Sequence, residues 1–124
     1  MAKDHSKEFV ALVADAKTRI REIGVDEVLA RRAAGDAFTL IDVREDREWD
    51  AGHAQSALHL GRGVIERDIT TAIPDKGASL VLYCGGGFRS ALAADNLQKM
   101  GYTNLRSMDG GWSAWIERGG PTEK

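Results

Sequence analysis

The feature that most constrains this chain is a pair of compact apolar runs, each followed by loop residues and then by a segment with helical spacing. Phe38 to Val43 and Ser79 to Tyr83 are short and rich in β-forming residues, which predicts two buried strands. After the second run, Ala93, Leu97 and Met100 recur at i, i+4 and i+7, so Arg89 to Met100 is expected to be a helix closed by Gly101. Strands that alternate with helices imply an α/β domain with a mostly parallel sheet and helices on both faces.

The remaining segments fit that alternation. Ser6 to Ile20 carries Phe9, Leu12, Val13, Ala16 and Ile20 at helical spacing, an amphipathic stripe that should pack on the domain. Ile20 to Ile23 reads as a first strand and Val25 to Ala34 as a helix ended by Gly35. Glu45 to Ala51 reads as a short helical turn, Ala57 to Leu60 as a strand and Val64 to Thr71 as a short helix. Leu105 to Met108 is a further strand, and a last helix presents Trp112, Trp115 and Ile116 on one face before Gly119-Gly120-Pro121 stops it.

Composition narrows the function classes. With 124 residues the chain is long enough to bury one core without staples. Its 17 basic and 19 acidic residues leave a net charge of −2, which argues against nucleic acid or an anionic membrane as partner. The single cysteine excludes an internal disulfide, and neither a signal peptide nor a membrane span is expected, so a cytoplasmic location is the expectation. His5, His53 and His59 do not form a spaced ligand cluster with that cysteine, so neither a metal nor a cofactor is expected.

That cysteine, Cys84, directly follows the strand that ends at Tyr83 and opens the loop Gly85-Gly86-Gly87-Phe88-Arg89. In an open α/β sheet ligands bind at the carboxyl ends of strands, which is where this order places the thiol. A helix N-terminus favours the thiolate, because its free N–H groups carry partial positive charge. Three glycines can take positive φ and curl successive N–H groups toward the sulfur as an anion nest. The competing reading is a small buried cysteine beside a strand-to-helix turn. Arg89 has two open roles, facing the pocket or forming a structural ion pair, and Ser90 is expected to serve the helix start.

Two separated blocks resemble the rhodanese homology domain over about Val25 to Pro121. The first is Leu40-Ile41-Asp42-Val43-Arg44-Glu45 with Glu48-Trp49 and Gly52-His53. The second is Val81-Leu82-Tyr83-Cys84 with Arg89-Ser90, Gly101-Tyr102 and Gly110-Gly111-Trp112. The resemblance implies a rhodanese-like domain at 23–121 with a sheet of about five strands, an N-terminal helical extension at 1–22 and a tail at 122–124. It also implies a two-step sulfur transfer in which Cys84 takes a sulfur from thiosulfate or mercaptopyruvate as a persulfide. Cyanide, a cellular thiol or a protein acceptor then removes it. By family pattern Asp42 and Arg44 brace the active-site loop, Arg44 being also open as an attractor for an anionic donor. His53 is a candidate partner for the thiolate.

Other readings stay open: a persulfide carrier, a non-enzymatic docking module, and a cysteine-dependent phosphatase or arsenate reductase. Relatives of the last kind carry Cys-x5-Arg, whereas this chain has Cys-x4-Arg, a loop better sized for one sulfur than for a tetrahedral phosphate. The oligomeric state is not legible.

Overall fold

The computed structural model describes residues 5–124; residues 1–4 of the expected N-terminal extension lie outside the described residues. Five parallel strands, β1 (Glu22–Ile23), β2 (Thr39–Asp42), β4 (Leu58–His59), β5 (Leu80–Tyr83) and β6 (Leu105–Met108), form one sheet in the order β1-β6-β5-β2-β4. Helices α1 (Lys7–Lys17), α2 (Val25–Ala33), α3 (Asp46–Ala51), α4 (Ile65–Ala72), α5 (Phe88–Lys99) and α6 (Gly111–Glu117) connect and flank the strands. The α/β fold expected from the alternation is the fold observed.

Strand periodicity sorts the core into two layers. Ile41, Val43, Leu80, Leu82 and Leu105 point to one face, where Ile65 and Ile69 of α4 and Ala93, Ala94 and Leu97 of α5 cover them. Leu40, Val81, Tyr83 and Met108 point to the other, against Val25 and Val28 of α2 and Trp115 of α6. Both faces of β5 are therefore buried, which explains why its sequence is apolar throughout. Cys84 lies on the α5 side.

Three expectations need correction. Leu12 and Ile116, placed on apolar helix faces by spacing, are exposed at 55% and 49%. In α1 the inward stripe is narrow, with Val13 and Ala16 buried; in α6 it is Trp115 that fills the core. Thr122–Glu123, expected as a tail, forms strand β7 and pairs antiparallel with β3 (His53–Ala54). The helix expected from Arg89 begins one residue earlier, at Phe88.

Within the sheet the connection from β2 runs to β4 on one side, while that from β5 runs to β6 on the other. The strand order therefore reverses between β2 and β5, and a crevice opens at their carboxyl ends. Asp42 ends one of these strands and Tyr83 the other, so Cys84 follows directly at the carboxyl end of β5.

Candidate active site

Cys84 is buried, with 1% of its surface exposed. Its Sγ accepts from Gly87 N at 3.1 Å and Ser90 N at 3.4 Å, and lies 3.5 Å from Ser90 Oγ. These donors come from the N-cap and first turn of α5, where main-chain N–H groups have no helical partner. Two N–H groups thus face the sulfur, but they are not the successive glycine N–H groups expected, and the three glycines are not equivalent. Of the three only Gly87 has positive φ, at 100°, and a Cβ there would meet Gly110 N at 3.4 Å. Gly85 and Gly86 avoid the left-handed region, and Gly86 is exposed with open space around it.

Of the two roles left open for Arg89, the ion pair is formed, and the cleft it borders is not lined by Cys84. Its guanidinium is held by Glu48 in a two-armed ion pair of 2.7 and 3.1 Å, yet it also lines a cleft of about 610 Å³ beside the loop. The Arg89 guanidinium holds the Glu48 carboxyl well down, from the ordinary 4.5 to about 2. Glu48 is fixed in turn by the capping box at the start of α3, where Glu45 N donates to its Oε1 at 3.1 Å. Arg62, on the loop after β4, lines the same cleft and pairs with Glu66 at 2.7 Å.

Asp42 and Arg44 form a buried brace. Asp42 accepts from Arg44 N (2.9 Å), Nε (3.1 Å) and Nη2 (2.8 Å), and from Tyr83 Oη at 2.6 Å. Arg44 also donates to Gly52 O at 2.7 Å and lies 4.5 Å from the centre of the Trp112 ring. Its Nε and Nη2 are thus committed to the fold, while Arg44 also borders the cleft that Arg89 and Arg62 line. Burial and the bond to Asp42 push the Tyr83 hydroxyl up, so it remains a donor that crosslinks β5 to β2.

His53 does not pair with the thiol. Its ring stacks on Trp49 at 3.4 Å, Nδ1 lies 3.0 Å from Trp49 O and Nε2 lies 3.4 Å from Glu123. Both nitrogens are occupied by the α3–β3 turn and by β7. Phe88 faces away from the sulfur chemistry too: it meets His5 at 4.8 Å and Phe9 at 5.9 Å, with Lys17 Nζ 5.5 Å from its ring centre. The N-terminal helix is thereby fastened to the first residue of α5.

One buried residue was not singled out from sequence, and another was quoted only as part of a block. Ser107 on β6 is wholly buried, and its Oγ lies 2.7 Å from Ser90 Oγ; in Leu-Arg-Ser-Met nothing local marks this serine out. Gly111, at φ 52°, leaves no room for a side chain because a Cβ would collide with the carbonyl of Cys84. Next to it, Trp112 N and Ser113 N donate to Cys84 O at 2.7 Å and Gly85 O at 3.2 Å. The Gly110-Gly111-Trp112 block is thus the floor on which the cysteine loop rests.

Comparison with known proteins agrees with this arrangement. A family model described as the rhodanese-like domain matches residues 24–118. Thiosulfate sulfurtransferase GlpE of Pseudomonas entomophila is 32% identical over 98 residues, covering 79% of this chain and 86% of the relative. Thiosulfate sulfurtransferase PspE of Escherichia coli is 34% identical over 70 residues, covering 56% and 67%. Among solved structures, a Rhodopseudomonas palustris protein described as of unknown function and a possible tyrosine phosphatase superposes with a TM-score of 0.82. It is 27% identical and covers 99% of each chain. Sequence blocks, sheet order and loop position converge with these matches: the chain belongs to the rhodanese-like domain family.

Proposed function

We propose that the protein is a sulfurtransferase that carries a sulfane sulfur on Cys84. One observation carries the reading: the chain's single cysteine sits at the strand-order reversal with its Sγ receiving two main-chain N–H donors. In the first step the Cys84 thiolate attacks the outer sulfur of thiosulfate. The new S–S bond forms as the old one breaks, and sulfite leaves with the electron pair. With mercaptopyruvate the leaving carbanion takes the thiol proton and departs as pyruvate. In the second step cyanide, a cellular thiol or a protein thiol attacks the outer sulfur, and Cys84 leaves as the thiolate. The same two N–H groups face the sulfur that is nucleophile in one step and leaving group in the next, so fixed dipoles serve both.

Sulfurtransferase relatives support this reading. Phosphate-ester hydrolysis is a second reading, suggested by the description of the R. palustris protein. The four-residue spacing and the engagement of Arg89 by Glu48 count against it.

Intact mass before and after exposure to thiosulfate or mercaptopyruvate tests the proposal. The wild type is expected to gain about one sulfur atom, which cyanide removes, and Cys84→Ser to gain none. If neither donor adds sulfur while the thiol still reacts with an alkylating reagent, sulfur transfer is wrong. Release of phosphate from an aryl phosphate, dependent on Cys84, would put the second reading in its place.

A further inference from the structure

Ser90 is expected from sequence to serve the helix start, but its hydroxyl does something else. A serine in a helix ordinarily turns its Oγ back to a carbonyl of the preceding turn. Here Ser90 Oγ instead lies between Cys84 Sγ, at 3.5 Å, and Ser107 Oγ, at 2.7 Å. Both serines are wholly buried. Among the described residues Ser107 Oγ has no hydrogen-bond partner other than Ser90 Oγ, so this chain of hydroxyls stops at β6.

A dead end gives the chain a direction. With an anionic sulfur, two hydroxyl hydrogens fill two contacts, running from Ser107 to Ser90 and from Ser90 to Cys84. A neutral thiol brings a third hydrogen, and one of the three then lacks an acceptor within the chain. A buried polar hydrogen without an acceptor is unfavourable, and successive hydrogen bonds polarise one another.

We propose that Ser107 is a positioning residue for Cys84: it holds the Ser90 hydroxyl off its own helix and aims the Ser90 hydrogen at the sulfur, stabilising the thiolate. The inference rests on the reading of Cys84 as the working thiol. In sulfur transfer it would act at both steps, on the attacking thiolate and on the same thiolate as it leaves. Ser107 itself touches neither the sulfur nor a substrate.

The test is a pH titration of thiolate absorbance in the ultraviolet, whose signal is unambiguous because the chain has one cysteine. Needing no sulfur donor, it reports on Ser107 even if sulfur transfer proves wrong. Ser107→Ala is expected to move the midpoint upward by about half a pH unit, roughly a threefold loss of thiolate below it. Ser90→Ala is expected to move it further, and adding Ser107→Ala to Ser90→Ala to move it no more. Ser107→Thr keeps the hydroxyl and the wild-type midpoint, whereas Ser107→Val, of the same shape, does not. An unchanged midpoint in Ser107→Ala, or an equal shift with and without Ser90, would overturn the proposal. A purely structural Ser107 would lower the melting temperature and leave the midpoint where it was.

Discussion

Glu48 grips Arg89 with both carboxylate oxygens, tying the first turn of α3 to the first turn of α5 across the mouth of the cysteine loop. Because the carboxyl is held at about 2 in the folded protein, against an ordinary 4.5, it binds a proton more readily in the unfolded chain. Its contribution is therefore complete above about pH 4.5 and is lost as the pH falls toward 2. Glu48→Gln is expected to cost about 1 kcal/mol at neutral pH, since the pair is partly solvated. Acid unfolding followed by circular dichroism should be flatter than wild type across that window. An identical acid limb in the variant would show that the pair adds nothing.

The glycines of the loop should respond unequally. Gly87→Ala places a Cβ on a residue at φ 100° and is expected to cost about 1–2 kcal/mol and to slow sulfur loading. Gly86→Ala, exposed and free of positive φ, should leave both stability and loading close to wild type. Denaturant midpoints and loading rates for the two variants, compared side by side, decide the matter. Equal effects would mean that the loop is read wrongly.

Asp42→Asn should be among the most damaging single changes. It leaves Arg44, a residue only 3% exposed, without its countercharge. Breaking one half of a buried pair costs about 3–5 kcal/mol. Equilibrium unfolding in urea measures it; a loss below about 1 kcal/mol would show that Gly52 O and the Trp112 face suffice for Arg44.

Phe88→Ala should loosen the N-terminal helix more than it disturbs the sheet. Phe88 meets His5, Phe9 and Lys17, so its loss is expected to speed amide hydrogen exchange in α1 while β5 and β2 stay protected. Uniform acceleration across the chain would instead place Phe88 in the global core.

How much of this was legible in the sequence follows from the range of the interactions. β5 and the thiol at its end could be read locally, because a strand buried on both faces must be apolar throughout and the loop follows it directly. The sequence-distant partners could not be read. Glu48 meets Arg89, and Ser107 meets Ser90, only because β2, β5 and β6 lie side by side. Helical spacing put Leu12 and Ile116 inward, since periodicity reports a face but not how wide a stripe the domain covers. Thr122 and Glu123 carry no strand signal of their own; β3 supplies the partner.

The support beneath Cys84 also sets when the cysteine loop can be completed. Trp112 and Ser113 hold the Cys84 and Gly85 carbonyls, yet they leave the ribosome only after the whole of α5 and β6. The nascent chain can pair β2 with β5, but the loop has no floor until α6 is in place. The thiol therefore reaches its final setting only once α6 has joined the fold, and a chain cut short before Gly110 would keep the N–H donors of Gly87 and Ser90 but lack the support under the Cys84 and Gly85 carbonyls.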